Sequence, residues 1–376
     1  MSRKHPIVSV AGSSGAGTTS VMRTFQQIFR REGINVAYVE GDSFHRYNRA
    51  EMKAAIAEAN ARGDHTFSHF GPEANLFEEL EELFRSYNET GTGRVRKYLH
   101  DAEEARPFGQ EPGTFTPWED LPPDSDMLFY EGLHGAIVTG TVDVARYADL
   151  RIGVVPVINL EWIQKLHRDK VVRGYTGEAV TDIILRRMPD YVNYICPQFS
   201  NTDVNFQRVP VVDTSNPFIA RTIPTADESM LIIRFRDPHG IDFPYLLSML
   251  HDSFMSRPNT IVCPGGKMDL AMQLIFTPMI LRLVERRNAE LVLSAEEPFT
   301  SAIPGCAQSI TTSPVNFGVS HGQLPPQLGA EAVADQCVRD ADRRLGGQMP
   351  IRSDEHDAQP RDVQPLAHRS TGSRDV

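Results

Sequence analysis

The chain has little cysteine, no long apolar run and a shortage of positive charge. Its four cysteines include no CxxC pair; they are Cys196, Cys263, Cys306 and Cys337. That spacing argues against a disulfide scaffold and against a zinc ribbon. No apolar run reaches the roughly 18 residues of a membrane span, and the first residues lack the apolar core of a signal peptide. We therefore expect a cytoplasmic protein that does not associate with membranes.

Basic residues number 38 and acidic residues 49, so the formal net charge is −11. This balance argues against a protein that coats nucleic acid. The length of 376 residues suggests two or three domains. After Arg287, however, the sequence becomes polar and rich in Pro, Gln, Asp and Arg, and its hydrophobic periodicity is weak. We expect one domain over residues 1–287 and an atypical, disordered tail over residues 288–376.

Short β-branched runs alternate with helical patterns throughout the first part of the chain. The predicted strands are Ile7–Ala11, Val36–Glu40, Met127–Glu131, Leu150–Val155, Val209–Val212, Leu231–Phe235 and Thr260–Cys263. The predicted helices are Thr19–Arg31, Arg49–Ala61, Leu76–Tyr87, Leu160–Val172, Thr181–Asn193, Pro244–Phe254 and Met268–Arg287. This alternation predicts an α/β fold with a mostly parallel central sheet flanked by helices.

A glycine-rich loop joins the first predicted strand to the first predicted helix. Its residues are Gly12, Ser13, Ser14, Gly15, Ala16, Gly17, Thr18 and Thr19. In such a loop the backbone N–H groups and the helix N-terminus bind phosphate oxygens. The pattern G-x-x-x-x-G-K-[ST] is met except that Thr18 replaces the lysine. We expect Thr19 to bind Mg²⁺ and an ammonium group to come from elsewhere; a simple glycine turn is the alternative.

Acidic residues lie at the ends of the second and third predicted strands, where doubly wound sheets bind ligands. Asp42 is a candidate general base for a substrate hydroxyl, or else an N-cap of the next helix. His45 and Arg49 follow it and suit an anionic substrate. Glu131 suits a carboxylate that holds Mg²⁺, or else is an ordinary strand-end acid.

The segment 160–174 is the most highly charged helical pattern. Glu161, Lys165, Asp169 and Arg173 recur every four residues and share one helical face. They could form a solvated stripe of salt bridges, each worth about a few tenths of a kcal/mol. They could instead belong to a lid in which Lys165, Arg168 and Arg173 close over phosphate groups. In that case Lys165 supplies the ammonium that the glycine-rich loop lacks.

Four stretches together resemble the phosphoribulokinase family. They are KLHRDKVVRGYTGE at 165–178, GDSFHRY at 41–47, FTPWEDLP at 115–122 and FYEGLH at 129–134. The resemblance covers residues 4–287, and the replacement of the loop lysine by Thr18 is typical of the bacterial branch. It implies a P-loop kinase fold akin to the nucleoside monophosphate kinases. It also implies ATP- and Mg²⁺-dependent phosphorylation of D-ribulose 5-phosphate at O1, which gives ribulose 1,5-bisphosphate for carbon fixation in the Calvin cycle.

The resemblance also implies roles for individual residues. Asp42 would be the catalytic base, Glu131 a Mg²⁺ ligand, and Asp169 a second catalytic acid close to the metal. Lys165 and Arg168 would steady the transferring phosphoryl group. The residues implied to bind the sugar phosphate are His45, Arg49, Tyr98, His100 and Arg173.

The resemblance also implies that small-molecule effectors regulate the protein. Bacterial relatives are typically octamers activated by NADH and inhibited by AMP, and Arg31, Arg234 and Arg257 are candidates for the effector site or, alternatively, plain surface arginines. Plant-type relatives carry a redox-regulated cysteine in the phosphate loop. Ala16 stands at that position here, so we expect no thiol switch at this site.

Two other functions fit part of the pattern. A uridine- or pantothenate-kinase-like enzyme shares the loop and the strand-end acid, but its usual loop keeps the lysine and its substrate carries no phosphate. The cluster of His45, Arg49 and Arg173 favours a phosphorylated substrate. A nucleotide-binding regulator without catalysis is the second alternative, and the acids Asp42, Glu131 and Asp169 argue against it.

Overall fold

The computed structural model describes residues 5–13, 18–155, 157–171, 176–220 and 222–295, without the side chains of residues 18–20, 168–171, 294 and 295. The tail predicted over residues 288–376 lies mostly outside these ranges. None of the helices within them combines the length and the apolar character that a bilayer crossing requires.

An eight-stranded sheet forms the centre of the molecule, and a separate two-stranded ribbon accompanies it. The strands are β1 (Ile7–Gly12), β2 (Val36–Glu40), β3 (Arg94–Val95), β4 (Glu119–Asp120), β5 (Met127–Gly132), β6 (Leu150–Val155), β7 (Val204–Pro210), β8 (Ser229–Phe235), β9 (Phe254–Arg257) and β10 (Thr260–Pro264). The sheet order is β2-β5-β1-β6-β7-β8-β10-β9, and β3 pairs with β4. Pairing is parallel from β2 to β7 and antiparallel beyond β7. The predicted α/β fold with a mostly parallel sheet is confirmed.

Helices flank the sheet. They are α1 (Thr18–Glu32), α2 (Arg49–Ala61), α3 (Phe77–Thr90), α4 (Ala102–Ala105), α5 (Ile158–Val171), α6 (Gly177–Asp190), α7 (Gln198–Asn201), α8 (Phe243–Met249) and α9 (Met268–Ala295). Helix α9 continues without a break past Arg287, where the composition changes. Apolar side chains such as Leu291 and Leu293 are exposed on this extension, which accounts for its weak periodicity.

Two predictions near the antiparallel edge are wrong. The strand predicted over Val209–Val212 lies earlier, at β7, where buried Val204 and Phe206 alternate with more polar residues. The helix predicted to reach Phe254 ends at Met249, and Phe254 begins β9. An exposed, short edge strand gives no alternation of apolar residues for a pattern to detect.

The core packs on both faces of the sheet. On one face the ring of Phe25 from α1 lies 4.8 Å from that of Phe129 in β5 and 5.2 Å from that of Phe276 in α9. On the other face the rings of Phe84 in α3 and Tyr130 in β5 are 5.4 Å apart. Because both faces are covered, the central strands read as continuous apolar runs.

The parallel register brings the carboxyl ends of β2, β5 and β1 to one edge. Glu40 pairs with Glu131, and Ala11 pairs with Gly132. The backbone passes so closely here that a Cβ on Gly132 would lie 2.6 Å from Cα of Gly41. Glycine at both positions therefore allows the segments after β2 and β5 to meet.

We predict that Gly132→Ala lowers the free energy of unfolding by about 1–3 kcal/mol, because the added methyl group must push two backbone segments apart. Gly140→Ala is the matched control, since a Cβ there meets nothing within 4 Å. Urea unfolding followed by circular dichroism measures both. Equal stability of the two variants would contradict the proposed close contact.

Candidate active site

Asp42 lies in a short helical turn, Gly41–Phe44, directly after β2. It does not cap α2, because Asn48 does so: the Asn48 side chain accepts hydrogen bonds from the backbone N–H groups of Ala50 and Glu51. The alternative interpretation of Asp42 as a helix cap is therefore wrong. The Asp42 side chain lies among dense protein atoms yet keeps 41% exposure, as expected for a carboxylate on the floor of a cleft.

Two histidines approach the two oxygens of the Asp42 carboxylate. His45 Nε2 lies 3.2 Å from Oδ1, and His100 Nε2 lies 3.7 Å from Oδ2. The other ring nitrogen of His45, Nδ1, lies 2.9 Å from Oδ1 of Asn75. Since an amide oxygen only accepts, Nδ1 of His45 carries a proton and donates it to Asn75.

These contacts shift both pKa values in opposite directions. Burial raises the pKa of Asp42, but the hydrogen bond and charge of His45, followed by the charge of His100, outweigh it and hold that pKa at about 2. Burial lowers the pKa of His45, but the Asp42 carboxylate and the Asn75 amide raise it above its ordinary value. Asp42 is therefore ionised at neutral pH, and His45 favours its charged form.

Arg49 and Tyr98 extend this cluster. The Arg49 guanidinium donates through Nη2 to the backbone oxygen of His100 at 2.7 Å. The rings of Tyr98 and His100 are 4.9 Å apart. The structure thus brings together five of the predicted residues, which are Asp42, His45, Arg49, Tyr98 and His100.

Arg96 clamps the turn that carries Asp42, and sequence reasoning missed it. Its guanidinium donates to the backbone oxygens of Ser43 at 2.9 Å and His45 at 2.5 Å. The same group lies 3.7 Å from the ring centre of Phe115 and 4.9 Å from that of Trp118. The FTPW stretch at 115–118 therefore acts as an aromatic support for Arg96.

The glycine-rich loop has the predicted context, because β1 precedes it and α1 follows it. Ser13 is fully buried. The predicted phosphate-binding residues Ser14, Gly15, Ala16 and Gly17, and with Ala16 the expected absence of a thiol switch, lie outside the described residues. So do the side chains of Thr18 and Thr19, whose backbone starts α1.

The charged face of α5 is buried where it can be described. Glu161 and Lys165 keep only 9% and 7% exposure, so the interpretation as a solvated stripe is wrong for these two. Burial raises the pKa of Glu161, while the Ser13 hydroxyl and the charges of Arg187 and Lys165 oppose the shift. The side chains of Arg168 and Asp169, and the whole of Arg173, lie outside the described residues.

Glu131 is half-buried near the end of β5. No group of three or more His, Cys, Asp and Glu side chains within the described ranges could hold a metal ion alone. Proteins commonly bind Mg²⁺ through one or two carboxylates plus substrate phosphates, and a single carboxylate such as that of Glu131 fits this mode. Glu131 is the candidate ligand whose side chain the structure describes.

Of the three candidate effector arginines, Arg31 lies apart from Arg234 and Arg257, which flank one strand. Arg31 on α1 donates to Thr277 of α9 at 2.9 Å. Arg234 and Arg257 both pair in register with Thr260. Arg234 alternates with the buried Ile233 and so faces away from the side of the sheet that α1 and α9 cover.

A loop between α2 and α3 also borders the cleft, although its sequence gave no motif. His134, from the FYEGLH stretch, lies with Nε2 at 3.0 Å from the Phe70 backbone oxygen. Burial lowers the pKa of His134 to about 3, so its neutral ring donates this bond. His69 lies near Arg187, and burial, followed by the charge of Arg187, lowers the pKa of His69 to about 3.

Comparisons of this chain with family models, curated sequences and solved structures all find phosphoribulokinases or their family. The model of the phosphoribulokinase / uridine kinase family matches residues 7–215. The chain is 73% identical to chromosomal phosphoribulokinase of Cupriavidus necator and 70% identical to phosphoribulokinase of Nitrobacter vulgaris, covering 77% of this chain and 99% of each relative. A solved structure of phosphoribulokinase from Rhodobacter spheroides matches with a TM-score of 0.71 and 63% identity, covering 76% of this chain and all of that one.

We predict that Asp42→Asn lowers the pKa of His45, because burial then acts without the opposing carboxylate. In the unmodified protein both partners are charged from about pH 2 up to the raised pKa of His45, and their ionic attraction is lost above it. Deuterium exchange at the imidazole C2 position, followed by mass spectrometry, measures this pKa. Asp120→Asn is the control, since that carboxylate is 89% exposed. An unchanged His45 pKa in Asp42→Asn would contradict the pairing.

Proposed function

Because the chain belongs to the phosphoribulokinase / uridine kinase family, we propose that it phosphorylates O1 of D-ribulose 5-phosphate with ATP. The product is ribulose 1,5-bisphosphate, and the step belongs to the Calvin cycle. The observation that carries this proposal is the ionised Asp42 carboxylate between His45 and His100, on the same sheet edge as the glycine-rich loop. Bacterial relatives at 63–73% identity are named phosphoribulokinases.

Asp42 acts as the base. Its pKa of about 2 keeps it ionised, so that it accepts a hydrogen bond from O1 of the substrate. The same low pKa makes it too weak to form a free alkoxide beforehand. The proton therefore moves to Asp42 as the new P–O bond forms, which suits a loose transition state with little nucleophilic push. Positioning of O1 for in-line attack is the main contribution.

Lys165 and Arg187 line one pocket together with Glu161 and supply positive charge there; we call them the cationic wall. Lys165 is buried beside Glu161, which limits its freedom and points to a fixed charge. A lysine held in this way can replace the ammonium that is missing at Thr18 of the glycine-rich loop. Arg168, Asp169 and Arg173 complete this wall in our proposal, with Asp169 near the metal.

His45, Arg49, Tyr98 and His100 bind the sugar phosphate in this proposal. A charged His45 and the Arg49 guanidinium favour a dianionic phosphate over a neutral nucleoside. Mg²⁺, bound by Glu131, Thr19 and the nucleotide, would neutralise the charge that develops on the transferred group.

A uridine- or pantothenate-kinase-like activity is the alternative within the same superfamily. The cationic groups around Asp42 argue against this alternative, because an acceptor without a phosphate group would form no ionic contact with them.

Regulation is proposed on the resemblance and on the exposed positions of the arginines. We propose a cytoplasmic octamer that NADH activates and AMP inhibits, with Arg31, Arg234 and Arg257 at the effector site. Since Arg31 contacts α9 while Arg234 and Arg257 flank β10, a site that uses all three arginines would combine residues from more than one subunit in this proposal.

We predict that the protein releases ADP with ribulose 5-phosphate but not with uridine or pantothenate. Asp42→Ala should lower kcat by about 10²–10⁴-fold, because the base and its hydrogen bond to O1 are lost. The KM for ATP should stay nearly unchanged, since Asp42 lies on the acceptor side of the cleft. A coupled ADP-release assay measures all three acceptors.

Asp120→Ala serves as the control for loss of an exposed carboxylate. Preference for uridine or pantothenate would refute the proposed substrate. Near-normal turnover of Asp42→Ala with ribulose 5-phosphate would refute the role of Asp42 alone.

A further inference from the structure

His69 lies in the cleft and has no role in the chemistry described so far. Its ring centre is 5.6 Å from that of His45. Besides burial, the charges of Arg187, His45, Asp42 and Lys165 act on this ring, so it lies near both the proposed base and the cationic groups Lys165 and Arg187. A residue in this position can contact an acceptor bound between Asp42 and the cationic groups.

The backbone around His69 is fixed on both sides by buried partners. Asn75, which holds the ring of His45, donates through Nδ2 to the His69 backbone oxygen at 2.8 Å. Ser68 donates through Oγ to Asp190 at 2.7 Å. Phe70 receives the hydrogen bond of His134. Ser68, Phe70, Asn75 and His134 are all at most 5% exposed.

The imidazole ring of His69, unlike the backbone around it, is not held by hydrogen bonds. Among the described residues, neither of its ring nitrogens has a hydrogen-bond partner, although the residue is partly buried. Polar groups in such partly buried positions are normally paired. A rigid backbone that holds an unpaired ring toward a cleft is the arrangement of a binding residue rather than of a structural one.

The charge state of the His69 ring determines which kind of ligand group it can bind. Burial, then the charges of Arg187 and His45, lower the pKa of His69 to about 3, so the ring is neutral at physiological pH. A neutral imidazole offers one donor and one acceptor and gains little from a phosphate dianion. The adjacent cations serve the phosphate groups. An uncharged oxygen of the substrate is therefore the better partner.

We infer that His69 is a specificity-determining residue that hydrogen-bonds an uncharged oxygen of ribulose 5-phosphate next to the reacting O1, either the C2 carbonyl or the C3 hydroxyl. This inference rests on the proposed function, which supplies the substrate. Asp42 positions O1. His69, on the far side of the His45 ring, hydrogen-bonds an oxygen on C2 or C3. The pair would orient the C1–C3 end of the sugar for in-line attack.

We predict that His69→Ala raises the KM for ribulose 5-phosphate by about tenfold, the effect of one lost hydrogen bond in a partly buried site. The kcat should change less, because the bond exists in both the ground state and the transition state. The KM for ATP should not change. His69→Gln, which keeps a donor and an acceptor, should restore part of the affinity. His65→Ala, an exposed histidine of the same loop, is the matched control and should match the unmodified enzyme.

D-xylulose 5-phosphate, the C3 epimer, distinguishes the two oxygens. If His69 binds the C3 hydroxyl, the preference for ribulose 5-phosphate over the epimer shrinks in His69→Ala. If it binds the C2 carbonyl, both substrates lose equally. Either result supports the inference. An unchanged KM for ribulose 5-phosphate in a folded His69→Ala, with the unmodified enzyme active on that substrate, overturns the inference and leaves the proposed function standing.

A second measurement uses the unmodified protein and does not depend on how any variant folds. Ribulose 5-phosphate should slow deuterium exchange at the imidazole C2 of His69 and leave His65 unchanged. Equal exchange at His69 with and without ribulose 5-phosphate would also overturn the inference. Failure of the unmodified enzyme to release ADP with ribulose 5-phosphate would instead refute the proposed function, and the inference with it.

Discussion

The close approach of Gly41 and Gly132 is the constraint on which the rest of the site depends. It lets the segments that follow two adjacent parallel strands meet without side chains between them. Asp42 directly follows Gly41 at the end of β2, and Glu131 directly precedes Gly132 at the end of β5. A proposed base and a proposed metal ligand are thereby set at one fixed separation by backbone packing. A separation fixed in this way changes little when ligands arrive, which is what positioning catalysis requires.

Side chains from distant parts of the sequence then hold this arrangement in place. Arg96 binds the backbone of the turn that carries Asp42 and is itself supported by aromatic rings. Asn75 links the ring of His45 to the loop that carries His69. These groups do not need to touch substrate. They limit the motion of the groups that do, so the cost of ordering the site is met when the protein folds rather than when the substrate binds.

The sequence predicted the parts of the fold and site that follow from local patterns. Apolar runs located the buried parallel strands, since strands covered on both faces are continuously apolar, and Asp42 and Glu131 were found because each directly follows or ends such a run. The exposed edge strand β9 was missed, because no periodic apolar signal marks it. Arg96 and Asn75 were also missed: each acts through contacts between segments far apart in the chain, and no local spacing encodes those contacts. The role proposed for His69 likewise depends on neighbours that only the fold brings together. The burial of Glu161 and Lys165 could not be predicted either, since a buried charged face and a solvated one have the same four-residue period.

In the proposed mechanism the acceptor sugar lies between Asp42 and the cationic wall of Lys165 and Arg187, with O1 at the base. The most direct test is a crystal structure of the enzyme with Mg²⁺, ribulose 5-phosphate and a non-hydrolysable ATP analogue. We expect O1 within hydrogen-bond distance of the Asp42 carboxylate, in line with the terminal phosphorus, and the sugar phosphate against His45, Arg49 and His100. A sugar bound with its phosphate at Asp42, or with O1 directed away from that carboxylate, would contradict the account.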